Sequence, residues 1–242
     1  MWIFLFVLIV VWQIWGSSVS QLIIVPPSAI VTRLFELWND ANLALDIQTS
    51  AIEFVLGFLL AAAAGIVIGL LSGNIRVISR VTDPLISAIY AMPTIALAPL
   101  FIILLGIGVA SKVVVVALAC FFPIVLTTIA GVRSIDQTYW DVGRVFRLTR
   151  FQAVMKITLP SSVPFILSGL QIAVGRGLTA VLAAELFGAR NGVGLLILKA
   201  SSLFDTAAVY VGIFIFAFSG IVLTKLVFLL ERKVAPWRFV NQ

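Results

Sequence analysis

The sequence predicts an all-α membrane protein, a bundle of about six transmembrane helices that forms a single domain over residues 1–242. The chain is 62% hydrophobic and only 11% charged, and its mean hydropathy is +1.20. Soluble domains are about 45–50% apolar and about 25% charged. A soluble core of this chain length would not hide the excess apolar surface, whereas lipid solvates it directly.

Apolar runs of about 20 residues, long enough to cross the hydrocarbon layer, occur six times. The first extends from about Trp2 into the early twenties, and we expect a break at Gly16-Ser17-Ser18. A secretory signal peptide is the alternative, but no basic residue precedes the apolar run, so we favour a retained helix. The other runs cover about 50–71, 84–107, 113–132, 162–184 and 207–230.

The basic residues between these runs predict the orientation. Ten fall on one side of the membrane: Arg76, Arg80, Arg133, Arg144, Arg147, Arg150, Lys156, Arg232, Lys233 and Arg238. Four fall on the other: Arg33, Lys112, Arg190 and Lys199. Loops rich in Lys and Arg stay in the cytoplasm, so we expect a multi-pass protein of the plasma (inner) membrane with both termini cytoplasmic. This asymmetry also accounts for the net charge of +6 without nucleic acid.

Two further segments have a helical pattern with a structural interpretation. Between residues 23 and 49, apolar and charged positions alternate at helical spacing, which predicts a short amphipathic helix at the outer interface. Its apolar positions are Ile30, Leu34, Leu37 and Trp38, and its charges are Arg33, Glu36 and Asp40. In the second span, glycines at 57, 65, 69 and 73 form a smooth stripe, which predicts close helix packing rather than a ligand site.

The third span contains Tyr90-Ala91-Met92-Pro93-Thr94 and then Pro99. Each proline removes a backbone hydrogen bond, and interrupted helices in membranes face protein or a water-filled path. Transport proteins often bind their substrates at such breaks. A simple kink remains the alternative interpretation.

Arg176 is the charge placed deepest in a predicted span, and such a residue needs a partner or a function. Glu185 follows nine residues later, which places it on the opposite helix face. Arg176, flanked by Gly175 and Gly177, would face another helix, a water-filled path or an anionic substrate. We predict a substrate path lined by Tyr90, Met92, Pro93, Thr94, Arg176 and Thr179.

The composition does not favour catalysis or metal binding by this chain. It has no His and one Cys, Cys120, within an apolar run, where Cys behaves as a small buried hydrophobe. Asp and Glu are scattered, so we find neither a catalytic constellation nor a metal site. The phosphate-binding pattern G-x-x-x-x-G-K-[ST] is also missing. We therefore expect no enzyme and no cofactor bound by this chain.

The longest loop on the basic side, about 133–161, has the most specific pattern. Residues 139–149 mix apolar and charged positions as an amphipathic helix does. Asp141-Val142-Gly143 are followed after three residues by Arg147 and, after nine more, by Ile157-Thr158-Leu159-Pro160. This pattern resembles the loop of binding-protein-dependent importers of the ABC superfamily, which reads E-A-A, three residues, G, nine residues, I-x-L-P, with Arg147 at the usual glycine.

Further short motifs of that family follow in the expected order over nearly the whole chain. They are Pro27-Ser28-Ala29, Asp83-Pro84, Met92-Pro93, Phe121-Phe122-Pro123-Ile124, Gly131-Val132-Arg133-Ser134-Ile135-Asp136, Ala184-Glu185 and Gly192-Val193-Gly194. The set is most similar to the sulfonate, nitrate and taurine permease branch, which also includes transporters of pyrimidine-like heterocycles.

The resemblance implies a permease that forms the path for a small solute of one of these classes. It implies a second permease copy, expected as a homodimer, cytoplasmic ATPase subunits that bind the ATP, and an extracytoplasmic solute-binding protein. The loop would couple ATPase closure to the spans. Its predicted coupling residues are Asp141, Val142, Gly143, Arg144, Phe146, Arg147, Leu148, Ile157, Leu159 and Pro160.

Within this loop the resemblance implies separate roles. Phe146 and Leu148 would insert apolar bulk into a groove of the ATPase, while Asp141, Arg144 and Arg147 would set the register at the rim. Pro160 would lie at the start of the fifth span, where a missing N–H does little harm.

Other functions fit the sequence less well. An ion-coupled secondary transporter would need acids within the spans, and few are present. A membrane enzyme would need clustered His, Asp, Glu or Cys at the interface. A plain membrane anchor would not need the patterned loop.

Overall fold

The computed structural model describes residues 2–19, 24–39 and 42–236, and every regular element within those ranges is a helix. Three predictions fall partly outside them: the end of the first span at 20–23, the charge at Asp40, and Arg238 in the orientation argument. The helices are α1 (Trp2–Ser18), α2 (Pro27–Asn39), α3 (Asn42–Asn74), α4 (Arg76–Tyr90), α5 (Ala98–Leu105), α6 (Val109–Arg133), α7 (Gln137–Val145), α8 (Arg150–Ala153), α9 (Leu159–Gly188), α10 (Val193–Ser202) and α11 (Thr206–Val234).

The predicted fold class, an all-α membrane helix bundle, is confirmed. In the described part of the chain, four helical segments are long and apolar enough to span a membrane: Asn42–Asn74, Val109–Arg133, Arg150–Gly188 and Thr206–Val234. A fifth candidate is the pair Arg76–Tyr90 and Thr94–Leu105, which bends by 85° at its break. The sequence predicted six spans. The one that is not among these five candidates is the first, which corresponds to α1 and has only 17 residues.

The first and third spans differ from prediction in detail. α1 passes through Gly16 and Ser17 and ends at Ser18, the last residue of the predicted break, and the hydroxyls of Ser17 and Ser18 both donate to the carbonyl of Ile14. The third span begins at Arg76 rather than at residue 84, since Pro84 lies inside α4. The predicted interruption at Met92-Pro93 is present as the 85° bend.

The core of the bundle consists of α3, α6 and α9, with α6 in the middle. The glycine stripe of α3 lies directly against α6, as the sequence predicts, and a β-carbon at any of its positions would meet a branched side chain of α6. The pairs are Gly57 with Val116, Gly65 with Ile124, Gly69 with Thr128 and Gly73 with Val132. Glycine therefore sets the α3–α6 distance, as small residues do in lipid.

α9 packs against the other side of α6 in the same way. Gly169 contacts Thr127, and Gly177 contacts both Phe54 of α3 and the thiol of Cys120. Cys120 is fully buried, in agreement with its predicted role as a small core residue. Because α9 is fixed on α6, the residues of its remaining face are those available for a path or a partner.

Pro160 lies in the first turn of α9, the fifth span, as the sequence predicts. The helix runs without interruption from Arg150 to Gly188, with a π-helical turn at Val154–Thr158 just before the proline. A π turn accommodates the hydrogen bond that proline cannot donate. The coupling segment and the fifth span are therefore one continuous helical body.

Candidate functional site

A cavity of about 420 Å³ lies at the bend between α4 and α5. The bend supplies Tyr90, Met92, Pro93, Thr94 and Ile95, α6 supplies Ala119, Phe122 and Pro123, and α9 supplies Arg176. The structure thus brings five of the six predicted path residues into one cavity. Their roles in transport remain predictions.

Arg176 is the one charged residue lining this cavity. It is exposed, and it makes no hydrogen bond or ion pair with the rest of the described chain. Of its two flanking glycines, Gly177 lies against Cys120, whereas Gly175 has open space around it. Only Gly175 leaves the room for an approaching group that the sequence suggested for both.

Thr179 lies one turn further along the exposed stripe of α9 and is not among the cavity residues. Its hydroxyl donates a 2.9 Å hydrogen bond to the carbonyl of Gly175 in its own helix. The structure therefore does not bring Thr179 together with the other predicted path residues.

A second group of charged residues lies at the opposite end of the bundle from the loop. Lys112 Nζ donates to Glu53 Oε1 over 2.9 Å, with side chains 3% and 0% exposed. The sequence placed Lys112 in an outer loop, whereas the structure places it within α6 and buries it. Lys112 is in the first turn of α6 and turns inward because Glu53 of α3 lies opposite.

Glu185 completes this buried cluster from α9. It is fully buried and accepts hydrogen bonds from the Ser50 hydroxyl at 2.6 Å and the Gly194 N–H at 2.5 Å. The Ser50 oxygen in turn accepts the Val193 N–H at 2.9 Å, and Asp46 accepts the Gly192 N–H at 2.7 Å. Three side chains thus cap the start of α10.

This cluster acts as a structural clamp, meaning that its hydrogen bonds and ion pair hold α3, α6, α9 and α10 together. No three acids or other metal-binding side chains come together in the described ranges, and most hydrogen-bonding atoms here are matched within the chain. Glu53 Oε2 is the exception, buried without a partner. Gly192 has φ +140°, and a β-carbon there would overlap the Glu185 carboxylate. The sequence offered Ala184-Glu185 and Gly192-Val193-Gly194 as separate motifs, and the structure shows that they meet.

The predicted amphipathic helix of the loop is α7. The Asp136 carboxylate caps it by accepting the Thr138 N–H at 2.7 Å, and hydrogen bonding to Thr138 lowers the pKa of Asp136. α8 begins with a capping box in which Thr149 and Gln152 satisfy each other's N–H groups. Both helices therefore have well-defined first turns.

Arg147, which stands at the usual glycine, adopts the left-handed conformation with φ +49°. The Arg147 N–H bonds the Arg144 carbonyl, and the Leu148 N–H bonds the Gly143 carbonyl, both at 3.0 Å. This is the Schellman ending, which normally takes glycine. The chain therefore bends at Arg147 as it would at a glycine, but the β-carbon of arginine makes this left-handed conformation strained.

Gly143 is buried under the loop rather than exposed on it. A β-carbon at Gly143 would overlap Ile157 and touch Leu148, so these three residues hold α7 against the π-helical turn. Phe146 is 74% exposed, as an inserting residue needs, but Leu148 packs inward. Val145 and Phe151 are also more than 70% exposed, and the sequence pattern did not single them out.

A hydrogen bond joins the loop to α3, and an ion pair beside the loop joins α6 to α4. The Thr158 hydroxyl donates to the Asn74 side chain at the end of α3 over 3.1 Å. Arg133 at the end of α6 forms a 2.7 Å ion pair with Asp83 of α4. A displacement of the loop would therefore reach α3 through Thr158 and α9 through the continuous helix.

Comparison with known proteins is consistent with this architecture. The family model described as "Binding-protein-dependent transport system inner membrane component" matches residues 63–237. The chain is 36% identical to the putative aliphatic sulfonates transport permease protein SsuC of Bacillus subtilis, over 96% of this chain and 85% of that protein. It is 31% identical to the taurine transport system permease protein TauC of Escherichia coli, over 96% and 86%.

Among solved structures, the inward-facing MetNI methionine ABC transporter shares the fold. The match has a TM-score of 0.59 at 18% identity and covers 76% of this chain and 95% of the MetNI chain. The chain belongs to the binding-protein-dependent inner membrane components, and it is a transport component, the membrane-spanning permease subunit of an ABC importer, rather than an enzyme.

Proposed function

We propose that the cavity beside Arg176 lies on the translocation path and that the solute is a small organic anion of the sulfonate class. The observation that carries this proposal is an arginine that has no partner among the described residues and lines a cavity at a helix break. A guanidinium presents fixed donors that suit the oxygens of a sulfonate. The sulfonate and taurine relatives agree in substrate chemistry.

The test compares Arg176→Gln with Arg176→Lys in the assembled importer. A hydrogen bond to a charged group contributes about 1.5–3 kcal/mol, so Gln should lower sulfonate transport by about tenfold to a hundredfold. Lys keeps the charge and should retain part of the transport. Transport would be measured in proteoliposomes with the loaded binding protein, together with complex yield and melting temperature.

Two outcomes would contradict this assignment. Normal specific transport of the sulfonate by Arg176→Gln, with loss of yield and stability, would make Arg176 a structural residue. Transport of a neutral pyrimidine that is the same in wild type and Arg176→Gln, together with no transport of any sulfonate, would exclude sulfonates as the substrate class.

We further propose that the loop docks on cytoplasmic ATPase subunits through its exposed apolar residues Val145, Phe146 and Phe151. Their exposure supports this, because an exposed apolar patch next to a membrane domain calls for a covering partner. Phe146→Asp should reduce co-purification of the ATPase and ATP-driven transport while the permease remains folded. The matched control is Leu203→Asp, equally exposed at the other end of the bundle, which should leave ATPase retention unchanged.

In this proposal the importer contains two copies of the permease and an extracytoplasmic binding protein, and both termini of the chain are cytoplasmic.

Cysteine labelling tests the orientation. The native Cys120 is buried, so it should not react with the labelling reagent. Phe146→Cys should react only with reagent that enters the cell, and Leu203→Cys should react from outside. Labelling of position 146 from outside intact cells would reverse the orientation.

A further inference from the structure

A separate cavity of about 500 Å³ opens at the loop end of the bundle, where α3 gives way to α4. Its polar wall contains Arg76, Arg150, Trp140 and Asn74, and its apolar rim includes Leu71 and Ile75. Arg76 comes from α4, whereas Trp140 and Arg150 come from α7 and α8 of the loop. The cavity therefore lies between the bundle and the loop.

The wall of this cavity carries positive charge that is not neutralised within the described chain. Neither Arg76 nor Arg150 makes a hydrogen bond or ion pair with a described residue, and no acid lines the cavity. Asn74 is already engaged with the Leu70 carbonyl and with Thr158. The first turn of α4 also lacks a side-chain cap, which adds the partial positive charge of a helix start.

An apolar track leads from this cavity along α3. Leu60, Ala64, Val67 and Leu71 recur at helical spacing and are all exposed. At about 1.5 Å per residue the track is about 16 Å long, which is comparable to a lipid acyl chain. A free phosphate would use the arginines but would not need the track.

We propose that this cavity binds the headgroup phosphate of an anionic phospholipid, with one acyl chain along the α3 track. Arg76 and Arg150 would hold the phosphate oxygens, since guanidinium groups bind phosphate bidentately. Trp140 lines the cavity at the loop end of the bundle, and tryptophan favours the membrane–water interface where a headgroup lies. Basic pockets between helices on the cytoplasmic side are suited to such headgroups.

The two sides of the cavity belong to different parts of the fold, the bundle and the loop, which gives the bound lipid a consequence. A phosphate held by Arg76 and Arg150 together connects α4 to α8. The lipid would hold the loop against the bundle, in addition to the Thr158–Asn74 contact.

The experiment uses the intact importer, reconstituted in nanodiscs of phosphatidylcholine with or without phosphatidylglycerol. Retained lipid is measured by native mass spectrometry after transfer to detergent, and the melting temperature is measured in each nanodisc. The test variants are Arg76→Gln, Arg150→Gln and the two combined. The matched control is Arg80→Gln, an exposed arginine one turn along α4 that does not line the cavity.

Wild type and Arg80→Gln should retain phosphatidylglycerol severalfold over phosphatidylcholine, and phosphatidylglycerol should raise their melting temperature. The combined variant should retain both lipids equally and lose the shift, and each single variant should fall between. Equal phosphatidylglycerol retention by the single variants and wild type would overturn the proposal. Displacement of the lipid effect by millimolar inorganic phosphate alone would make the site one for a soluble anion and would also overturn it.

Discussion

Arg176 and Glu185 lie nine residues apart on α9, and their surroundings are opposite in every respect that matters for a charge. Arg176 faces a cavity, is exposed, and has no partner among the described residues. Glu185 is fully buried and has a hydrogen bond to each of its oxygens. One helix thus presents an open charge on one face and an enclosed charge on the other.

The difference indicates that one face of α9 is structural and the other is available for function. The enclosed face holds α3, α6, α9 and α10 in one arrangement, because the carboxylates of the cluster accept hydrogen bonds from donors on α3, α6 and α10. A matched buried group is costly to alter, since whatever partner remains is left without compensation. The open face has no such partners, so changes there should affect function rather than folding.

The largest effect should follow from Lys112→Met. This change leaves Glu53 and Glu185 buried without a cation, and removing one partner of a buried pair costs about 3–5 kcal/mol. We expect a sharp loss of assembled complex and of melting temperature.

The combined variant Lys112→Met with Glu53→Gln serves as the control for that prediction. It removes both charges of the pair and leaves Glu185 with Ser50 and Gly194, so much of the yield should return. Normal yield and stability of Lys112→Met alone would show that the cluster is not a clamp.

A smaller but still clear effect should follow from Gly192→Ala. Gly192 has φ +140°, where a side chain is strained, and the new β-carbon would overlap the Glu185 carboxylate. Backbone strain of this kind costs about 1–3 kcal/mol, which should appear as a lower melting temperature.

Gly108→Ala is the matched control for Gly192→Ala. Gly108 also precedes a helix, but its φ of 176° is ordinary extended backbone, and a β-carbon there meets nothing within 4 Å. If both variants melt at the same temperature as wild type, the buried cluster does not hold the start of α10 in a fixed conformation, and the contrast with the open face of α9 fails.

These two regions also separate what the sequence predicts from what it does not. The glycine stripe of α3 and the break at Met92-Pro93 are local patterns, and both are present. So is the rotation of Arg176 and Glu185 to opposite faces, which follows from helical geometry alone.

The buried cluster could not be predicted in this way, because it depends on the register between distant helices. Glu53 and Lys112 are 59 residues apart in sequence, and a shift of α3 against α6 by one turn would separate them. The left-handed Arg147 was likewise hidden, since its conformation is imposed by hydrogen bonds to Gly143 and Arg144. The first case depends on tertiary packing, and in the second the hydrogen bonds that end α7 override the preference of the residue type.

The smallest effect should follow from Thr179→Val, which probes the limit of the open face. Thr179 is exposed one turn from Arg176, but its hydroxyl is engaged with the Gly175 carbonyl and it does not line the cavity. Valine keeps the shape and removes only a bond within the helix, and such back-bonding does not strengthen a helix. An exposed change of this kind stays within about 0.5 kcal/mol, so transport should match wild type to within about twofold and the melting temperature should stay close to that of wild type. The measurement is transport and melting of Thr179→Val beside Arg176→Gln in one preparation. A transport loss comparable to that of Arg176→Gln, at normal stability, would extend the path along α9 beyond the cavity. A loss of stability instead would mean that this face is covered by another helix or a second copy of the chain. Both faces of α9 would then be buried in the assembly, and they would differ only in what covers them.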